Sequence, residues 1–325
     1  MYDQYGRKID YARISITDRC NLRCVYCMPE SGDKLSSGGI LSYEDILRVC
    51  RILAQQGIRK LKITGGEPLV RKGVTSLIDR LKDIPGIDHV SLTTNGICLA
   101  AKAERLAAAG LDSVNISLDT LDPDRYQAVT RRGSVSDVLR GIESAVSAGI
   151  GTVKVNCVPI AGVNEGDLVS LAGLAQHQDI HVRFIEMMPI GLGKNFKGIG
   201  PQIICDALTA AYGEMIPFGG RLGNGPAVYY TLPGFHGKIG FINAVSGCFC
   251  QGCNRVRLTA DGMLKTCLHS EVGANLLFAL TQNNDRVLFD HITRAIWNKP
   301  ARHDFAQGAA QTRNETRRIM SQIGG

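Results

Sequence analysis

The chain has 325 residues, enough to bury a large core as one barrel-sized domain with an appended part rather than as two equal domains. Its hydrophobic content of 44% and charged content of 21% are typical of soluble globular proteins, and no apolar run reaches the length of a membrane span. The start is polar and lacks the core of a signal peptide, so we expect a cytoplasmic protein with no membrane partner. The net charge of +7 is compatible with an anionic substrate, a nucleic-acid partner or only a solvated basic face.

Six short runs rich in β-branched residues predict strands along the first two thirds of the chain. They cover residues 12–17, 59–64, 89–95, 113–119, 152–159 and 181–189. Helical patterns separate them, and the first of these opens with Ser42 as N-cap and stops at Gly57. This alternation predicts an α/β fold with a parallel sheet, and six units are too few for a closed eight-stranded barrel. We therefore expect a partial (β/α)6 TIM-like barrel over residues 1–193, with its chemistry at the strand ends.

The pattern changes from about residue 194 onward. Glycines cluster there, and short strand-like pieces follow, before a polar helical stretch that begins near residue 283. We expect a small C-terminal subdomain over residues 194–325, ending in Gly324 and Gly325. Two glycines can thread a crevice that no side chain could enter, so we expect this tail to reach the active site, the alternative being a frayed end.

A first group of cysteines follows the first predicted strand. Cys20, Cys24 and Cys27 are spaced C-x₃-C-x₂-C. Three thiolates so placed can hold three corners of a [4Fe–4S] cube and leave the fourth iron open for a chelating cofactor. Structural zinc is the alternative, but it takes four protein ligands and no fourth cysteine or histidine lies nearby. Tyr26 is an aromatic beside the open iron that can pack against an adenine.

The cysteine spacing and a turn after the second strand together resemble the radical S-adenosylmethionine (SAM) superfamily. In the segment LKITGGEPL, Gly65 and Gly66 let the backbone approach a bound group closely. The resemblance implies that this turn, including Glu67, contacts the methionine part of SAM. It also implies that the Cys20–Cys24–Cys27 cluster, when reduced, cleaves the cofactor.

A second group of cysteines lies near the other end of the chain. Cys250, Cys253 and Cys267 again supply three thiolates without a nearby fourth, which favours a second [4Fe–4S] cluster whose open iron binds substrate. A zinc ribbon is the alternative and would need a fourth ligand. We expect His269 to be a surface residue. The remaining cysteines are interpreted as buried small hydrophobes, namely Cys50, Cys98, Cys157, Cys205 and Cys248.

Nearly the whole chain resembles the GTP 3′,8-cyclase family of molybdenum cofactor biosynthesis. The segments that carry the resemblance are TDRCNLRCVYCMPE, LTTNG, NISLD, VKVN, RFIEMMP and CNRVRLTADG, together with the terminal Gly-Gly. A radical SAM enzyme that modifies a peptide or RNA is the alternative within the superfamily. A nucleic-acid-binding iron–sulfur protein is disfavoured, since only 6% of the residues are aromatic and the basic residues lie on barrel strands, so no nucleic-acid partner is expected.

The resemblance also implies the site residues. Those expected to bind GTP are Arg13, Lys62, Thr93, Lys154, Arg183, Arg255, Val256 and Arg257. Those expected to bind SAM are Tyr26, Gly66, Glu67, Ser117 and Met188. Arg255 and Arg257 are the candidates for a catalytic role in quenching the final radical.

The family's reaction begins when the 5′-deoxyadenosyl radical takes the 3′ hydrogen of GTP, after which the ribose carbon closes onto C8 of guanine. The expected partners are GTP, a flavodoxin- or ferredoxin-like electron donor and, downstream, the cyclic pyranopterin monophosphate synthase. The oligomeric state stays open at this point, a homodimer included.

Overall fold

The computed structural model describes residues 1–31, 39–220, 222–282, 284–303, 305, 316 and 318–324. The strands are β1 (Tyr11–Ser15), β2 (Lys60–Thr64), β3 (His89–Thr94), β4 (Ser113–Ser117), β5 (Thr152–Cys157), β6 (Ile180–Ile185), β7 (Ile216–Phe218), β8 (Val228–Thr231), β9 (Ile239–Ile242), β10 (Arg255–Leu258), β11 (Met263–Lys265) and β12 (Gly273–Asn275). These twelve strands form one sheet in the order β12-β11-β10-β1-β2-β3-β4-β5-β6-β9-β8-β7.

The centre of this sheet is parallel. Strands β1 to β6 pair in chain order, β10 adds parallel to β1, and β9 adds parallel to β6. The predicted α/β partial barrel is thereby confirmed, and it is open, since β12 and β7 are the two ends of the described sheet.

The C-terminal third does not build a sheet of its own. Its strands extend both edges of the barrel, with β7 and β8 antiparallel beyond β9 and with β11 and β12 antiparallel beyond β10. The physical reason is that the edge strands of an open barrel expose unpaired backbone groups, which these strands satisfy. The boundary at residues 193/194 therefore does not coincide with a break in the sheet.

The helices are α1 (Tyr43–Gln55), α2 (Val74–Lys82), α3 (Ala103–Ala108), α4 (Pro123–Thr130), α5 (Val135–Ser147), α6 (Leu168–Gly173), α7 (Pro201–Tyr212), α8 (Leu277–Thr281), α9 (Asp285–Trp297) and α10 (Met320–Ile323). The predicted start of α1 is confirmed: the hydroxyl of Ser42 accepts a hydrogen bond from the Asp45 amide, and the Asp45 carboxylate accepts one in return from the Ser42 amide. None of the helices in the described part of the chain is long and apolar enough to cross a membrane.

The single cysteines divide by burial. Cys50 and Cys157 are buried as expected, and Cys98 and Cys205 are half-buried. Cys248 is exposed, so its interpretation as a buried hydrophobe is wrong. It lies in the irregular loop between β9 and β10, where no strand or helix periodicity turns a side chain inward.

Candidate active site

One cavity of about 350 Å³ contains both cysteine groups in its lining. The first group lies in the loop after β1, and the second flanks β10 and β11. Because β10 pairs directly with β1, segments more than 200 residues apart in the chain open onto the same space. This agrees with the rule that parallel strands place their chemistry at their carboxyl ends.

The first cysteine group is built to hold a cluster. Burial raises the pKa of Cys27 to about 12, and burial together with the neighbouring Cys27 thiol raises that of Cys24 well above its usual value. Thiolates crowded in this way need a cation to stabilise them. Three thiolates on one zinc ion would lie about 3.8 Å apart. Among the described residues, Cys20, Cys24 and Cys27 are not all within 4.8 Å of one another, and this wider spacing fits an iron–sulfur cube better.

Tyr26 is fixed in the cavity wall by a residue that the sequence did not single out. Its hydroxyl donates to the Asp119 carboxylate at 2.6 Å, and the Val158 amide donates to the same carboxylate at 2.9 Å. Burial and Asp119 together raise the pKa of Tyr26 well above its usual value, so the phenol stays protonated. The signal in the sequence was the position of Asp119 just after a strand, where side chains reach the site.

The glycine turn after β2 packs directly on the cysteine loop. The Gly66 amide donates to the Thr17 carbonyl at 2.7 Å, and a β-carbon at Gly66 would lie 2.5 Å from the Arg19 carbonyl oxygen. Only glycine permits this approach of two backbones. The turn therefore sets the position of the loop that carries Cys20.

Glu67, which is expected to contact the cofactor, is not among the described residues that line the cavity. The carboxylate is fully buried and accepts hydrogen bonds from the Thr94 hydroxyl at 2.8 Å and the Asn95 amide at 2.6 Å. Burial raises its pKa to about 7, against the effect of these hydrogen bonds. Glu67 thus links the turn to the end of β3, and its contact with SAM stays a prediction.

A row of cations crosses the cavity, and the strand register explains it. Arg13 of β1 lies directly between Lys62 of β2 and Arg257 of β10. Residues paired across parallel strands point to the same face of the sheet. The neighbouring positions in β2, Leu61 and Ile63, point to the other face and are buried in the core.

These cations are costly to bury. Burial, followed by Arg183 and Arg13, lowers the pKa of Lys62 well below its usual value, and burial and Arg13 do the same to Arg257. In the described part of the chain, Lys62, Arg183, Arg255 and Arg257 form no ion pair with a carboxylate. Arg183 is held instead by the side-chain carbonyls of Asn115 and Asn156. These buried cations can bind a polyanion, whose negative charge would offset the cost of burying them.

Most residues predicted for the two ligands meet at this cavity. Those in its lining are Arg13, Tyr26, Lys62, Gly66, Thr93, Ser117, Arg183, Met188, Arg255 and Arg257. Lys154 is buried just outside the lining, where its Nζ would be 2.7 Å from a β-carbon at Gly223. The Val256 side chain is buried in the core, because alternation along β10 turns it away from Arg255 and Arg257. The expected contact of Val256 with GTP stays a prediction.

The second cysteine group differs electrostatically from the first. Burial raises the pKa of Cys253, but Lys299 and Arg255 outweigh it and lower the value to about 7. Among the described residues, Cys250, Cys253 and Cys267 are not all within 4.8 Å of one another, whereas Cys250 lies within that distance of Cys248 and His303. The trio as the ligand set of a second cluster stays a prediction.

His269 is buried in the cavity wall, so the expectation of a surface residue is wrong. Its ring lies 4.4 Å from that of Phe305, and both line the cavity. The cause is a contact between distant parts of the chain, because a segment after α9 covers the turn that follows Cys267. A local sequence pattern carries no signal for such a contact.

The C-terminal tail reaches the row of cations. The Gly324 carbonyl accepts a hydrogen bond from Nη1 of Arg257 at 2.9 Å. A β-carbon at Gly324 would lie 2.6 Å from Oγ1 of Thr64, and its φ of +83° is one that favours glycine. The predicted entry of the tail is thus observed for Gly324, while Gly325 lies outside the described residues.

Two family models match successive parts of the chain: Radical SAM superfamily over residues 14–175 and Molybdenum Cofactor Synthesis C over residues 180–305. The chain is 46% identical over 330 residues to a GTP 3′,8-cyclase of Pelotomaculum thermopropionicum and 46% identical over 331 residues to one of Heliobacterium modesticaldum, each match covering 100% of both proteins. The crystal structure of Streptococcus suis SuiB superposes with a TM-score of 0.64 at 13% identity, covering 89% of this chain and 67% of that one, and shows a shared fold alone. The chain therefore belongs to the GTP 3′,8-cyclase family of the radical SAM superfamily.

Proposed function

We propose that this chain converts GTP to (8S)-3′,8-cyclo-7,8-dihydroguanosine 5′-triphosphate, an early step of molybdenum cofactor biosynthesis. The observation that carries the proposal is one cavity in which two cysteine trios are joined by a row of buried cations. A radical enzyme that acts on a peptide would not need that row, and the full-length relatives do not support an RNA substrate. The full-length relatives named GTP 3′,8-cyclase support the same reading.

The chain's own residues would divide the work as follows. Cys20, Cys24 and Cys27 hold the cluster that, when reduced, supplies the radical by cleaving SAM. Tyr26, fixed by Asp119, packs against the cofactor. The second trio holds the cluster that takes the guanine end of GTP.

The triphosphate binds the row of cations formed by Lys62, Arg13 and Arg257, together with two further cations of the cavity lining, Arg183 and Arg255. Fixing both ends of GTP holds the ribose and C8 within about 3–3.5 Å of each other, the separation from which the ring can close. Enclosure of the site protects the carbon radical from side reactions with reductants and dioxygen in the solvent. Arg255 and Arg257, which line the same cavity, would help to quench the final radical.

The proposal is tested with the anaerobically reconstituted protein, dithionite, SAM and GTP deuterated at C3′. We expect one deuterium in 5′-deoxyadenosine and a cyclised nucleotide with the mass of the labelled GTP less one deuterium plus one hydrogen, which is taken up as one electron from the reductant and one proton. Omitting GTP is the control and should leave 5′-deoxyadenosine near background. Equal amounts of 5′-deoxyadenosine with and without GTP, lacking deuterium, would refute the assignment.

The affinity for GTP should fall as the pH rises above 8. Burial and the neighbouring Arg183 lower the pKa of Lys154 to about 8, and a bound triphosphate favours the ammonium form. Binding above this pH must therefore take up a proton, which weakens it by up to about tenfold per pH unit. Equilibrium binding between pH 7 and 9 measures the decline. In Lys154→Arg the decline should flatten, because a guanidinium stays protonated; a decline as steep as the parent's would contradict the role of Lys154.

We further propose a flavodoxin- or ferredoxin-like protein as electron donor and a cyclic pyranopterin monophosphate synthase as the enzyme that consumes the product. None of the eleven cysteines, all of which the structure describes, forms a disulfide, and this fits a reducing, cytoplasmic setting. We also propose that the chain divides into a core at residues 1–193 and a part at residues 194–325 that carries the second cluster. A homodimer is the assembly to test.

A further inference from the structure

A lysine that sequence reasoning did not single out lies beneath the second cysteine group. Lys299 follows α9 directly, and it is only 2% exposed. Its ammonium donates to the Arg255 carbonyl at 2.9 Å and to the Thr266 carbonyl. Arg255 lies two residues after Cys253, and Thr266 immediately precedes Cys267. The ammonium therefore links the two segments that bring these thiols together.

The charge of Lys299 lacks a carboxylate partner. Across the ranges that the structure describes, Lys299 forms no ion pair with Asp or Glu, whereas Arg7, the neighbouring cation, pairs with Asp3 at 2.6 Å. The acidic groups that face Lys299 are the thiols of Cys253 and Cys267. Two carbonyls compensate only part of the cost of burying a cation, so the remaining compensation must come from these sulfurs.

The segment that carries Lys299 is fixed to the ligand loop by a second contact. Nη1 of Arg7 donates to the Cys250 carbonyl at 2.9 Å and to the Ala301 carbonyl at 2.8 Å, and Nη2 donates to the Pro300 carbonyl at 2.7 Å. Lys299 is thus held beside the sulfurs by its own hydrogen bonds to backbone carbonyls and by those that Arg7 makes to the next two residues. Rigid placement distinguishes it from a surface lysine that approaches a site by chance.

We propose that Lys299 is a positioning residue of the second cluster, whose buried ammonium neutralises the thiolates of Cys253 and Cys267 and raises the reduction potential of the cluster. One-electron reduction adds negative charge, and a fixed cation a few ångströms away stabilises the reduced form most. A higher potential would keep this cluster in its reduced form, so that an electron is held on this side of the cavity until the strongly oxidising cyclised radical accepts it late in the reaction. The inference rests on the proposed assignment of Cys250, Cys253 and Cys267 as the ligands.

The test uses the full-length chain with Cys20, Cys24 and Cys27 replaced by alanine, so that only the second cluster forms. Iron content and an electron paramagnetic resonance redox titration are measured for Lys299→Met, Lys299→Arg and the unaltered lysine. Lys82→Met is the matched control, since it removes one lysine charge on α2, where Lys82 pairs with Asp112 at 2.8 Å. We expect the midpoint potential to become more negative in Lys299→Met and to stay near the parent value in Lys299→Arg and Lys82→Met.

The outcomes separate a charge effect from a packing effect. Iron lost from Lys299→Met but kept in Lys299→Arg also supports the proposal. A parent-like potential in Lys299→Met, an Lys299→Arg potential as low as that of Lys299→Met, or iron lost from both variants would overturn it. Adding Cys253→Ala to the same background tests the ligand assignment separately, because iron that persists there refutes the assignment and not merely the role of Lys299.

Discussion

Cys24→Ala is expected to abolish formation of 5′-deoxyadenosine and to remove about four of about eight iron atoms per chain. Cys24 is half-buried in the cavity lining, and the neighbouring thiols of Cys27 and Cys20 raise its pKa further above its usual value after burial does, which marks the three thiols as one crowded group. With two protein ligands the cube loses an anchored corner at the site where the cofactor must bind. The measurements are iron analysis and chromatography of the nucleoside products after incubation with dithionite, SAM and GTP.

The matched experiment at the other end of the cavity should separate the two clusters. Cys253→Ala is expected to lose a similar amount of iron and to lose the cyclised nucleotide, while SAM cleavage by the first cluster persists. Cys205→Ala is the control, because this half-buried cysteine on α7 lies outside the cavity lining and should keep all the iron and full activity. If Cys253→Ala also lost the cleavage of SAM, as Cys24→Ala should, the proposed separate roles of the two clusters would be wrong.

Gly324→Ala is expected to lower cyclisation by about 100-fold without loss of iron. A β-carbon there would lie 2.6 Å from Oγ1 of Thr64 and 2.9 Å from Cβ of Ser15, so the tail would have to leave its crevice. The hydrogen bond from Arg257 to the Gly324 carbonyl would go with it, and the guanidinium would lose its orientation toward GTP. Rates of cyclised nucleotide, together with iron content, measure the effect.

A second glycine controls for backbone strain. Gly149 has a φ of +73°, close to the +83° of Gly324, but a β-carbon there meets nothing within 4 Å. Gly149→Ala therefore carries a similar conformational penalty without a clash and should cyclise GTP at the parent rate. Adding one residue after Gly325 should also lower the rate of cyclisation, because a longer tail would not fit the same crevice. Equal rates for Gly324→Ala and Gly149→Ala would show that the seated tail has no part in the reaction.

The sequence by itself determined the features that depend on neighbours in the chain. Cys20, Cys24 and Cys27 lie within eight residues, so their spacing alone identifies three ligands for one cluster. Strand and helix periodicity is also local, and it located β1 to β6 and the capped start of α1 at Ser42. The resemblance of whole segments then pointed to the family that the full-length relatives establish.

Only the tertiary structure decided which distant segments meet. No periodicity indicates that β10 pairs with β1, yet this register puts Arg257 beside Arg13 and gives the cavity its continuous row of cations. The burial of His269 and the place of Lys299 beneath the second cysteine group could not be predicted from the sequence for the same reason, since their partners are set by contacts across the fold. Such contacts form because open sheet edges and buried charges must be satisfied by whichever segment the packing brings near, and that segment has no fixed distance along the chain.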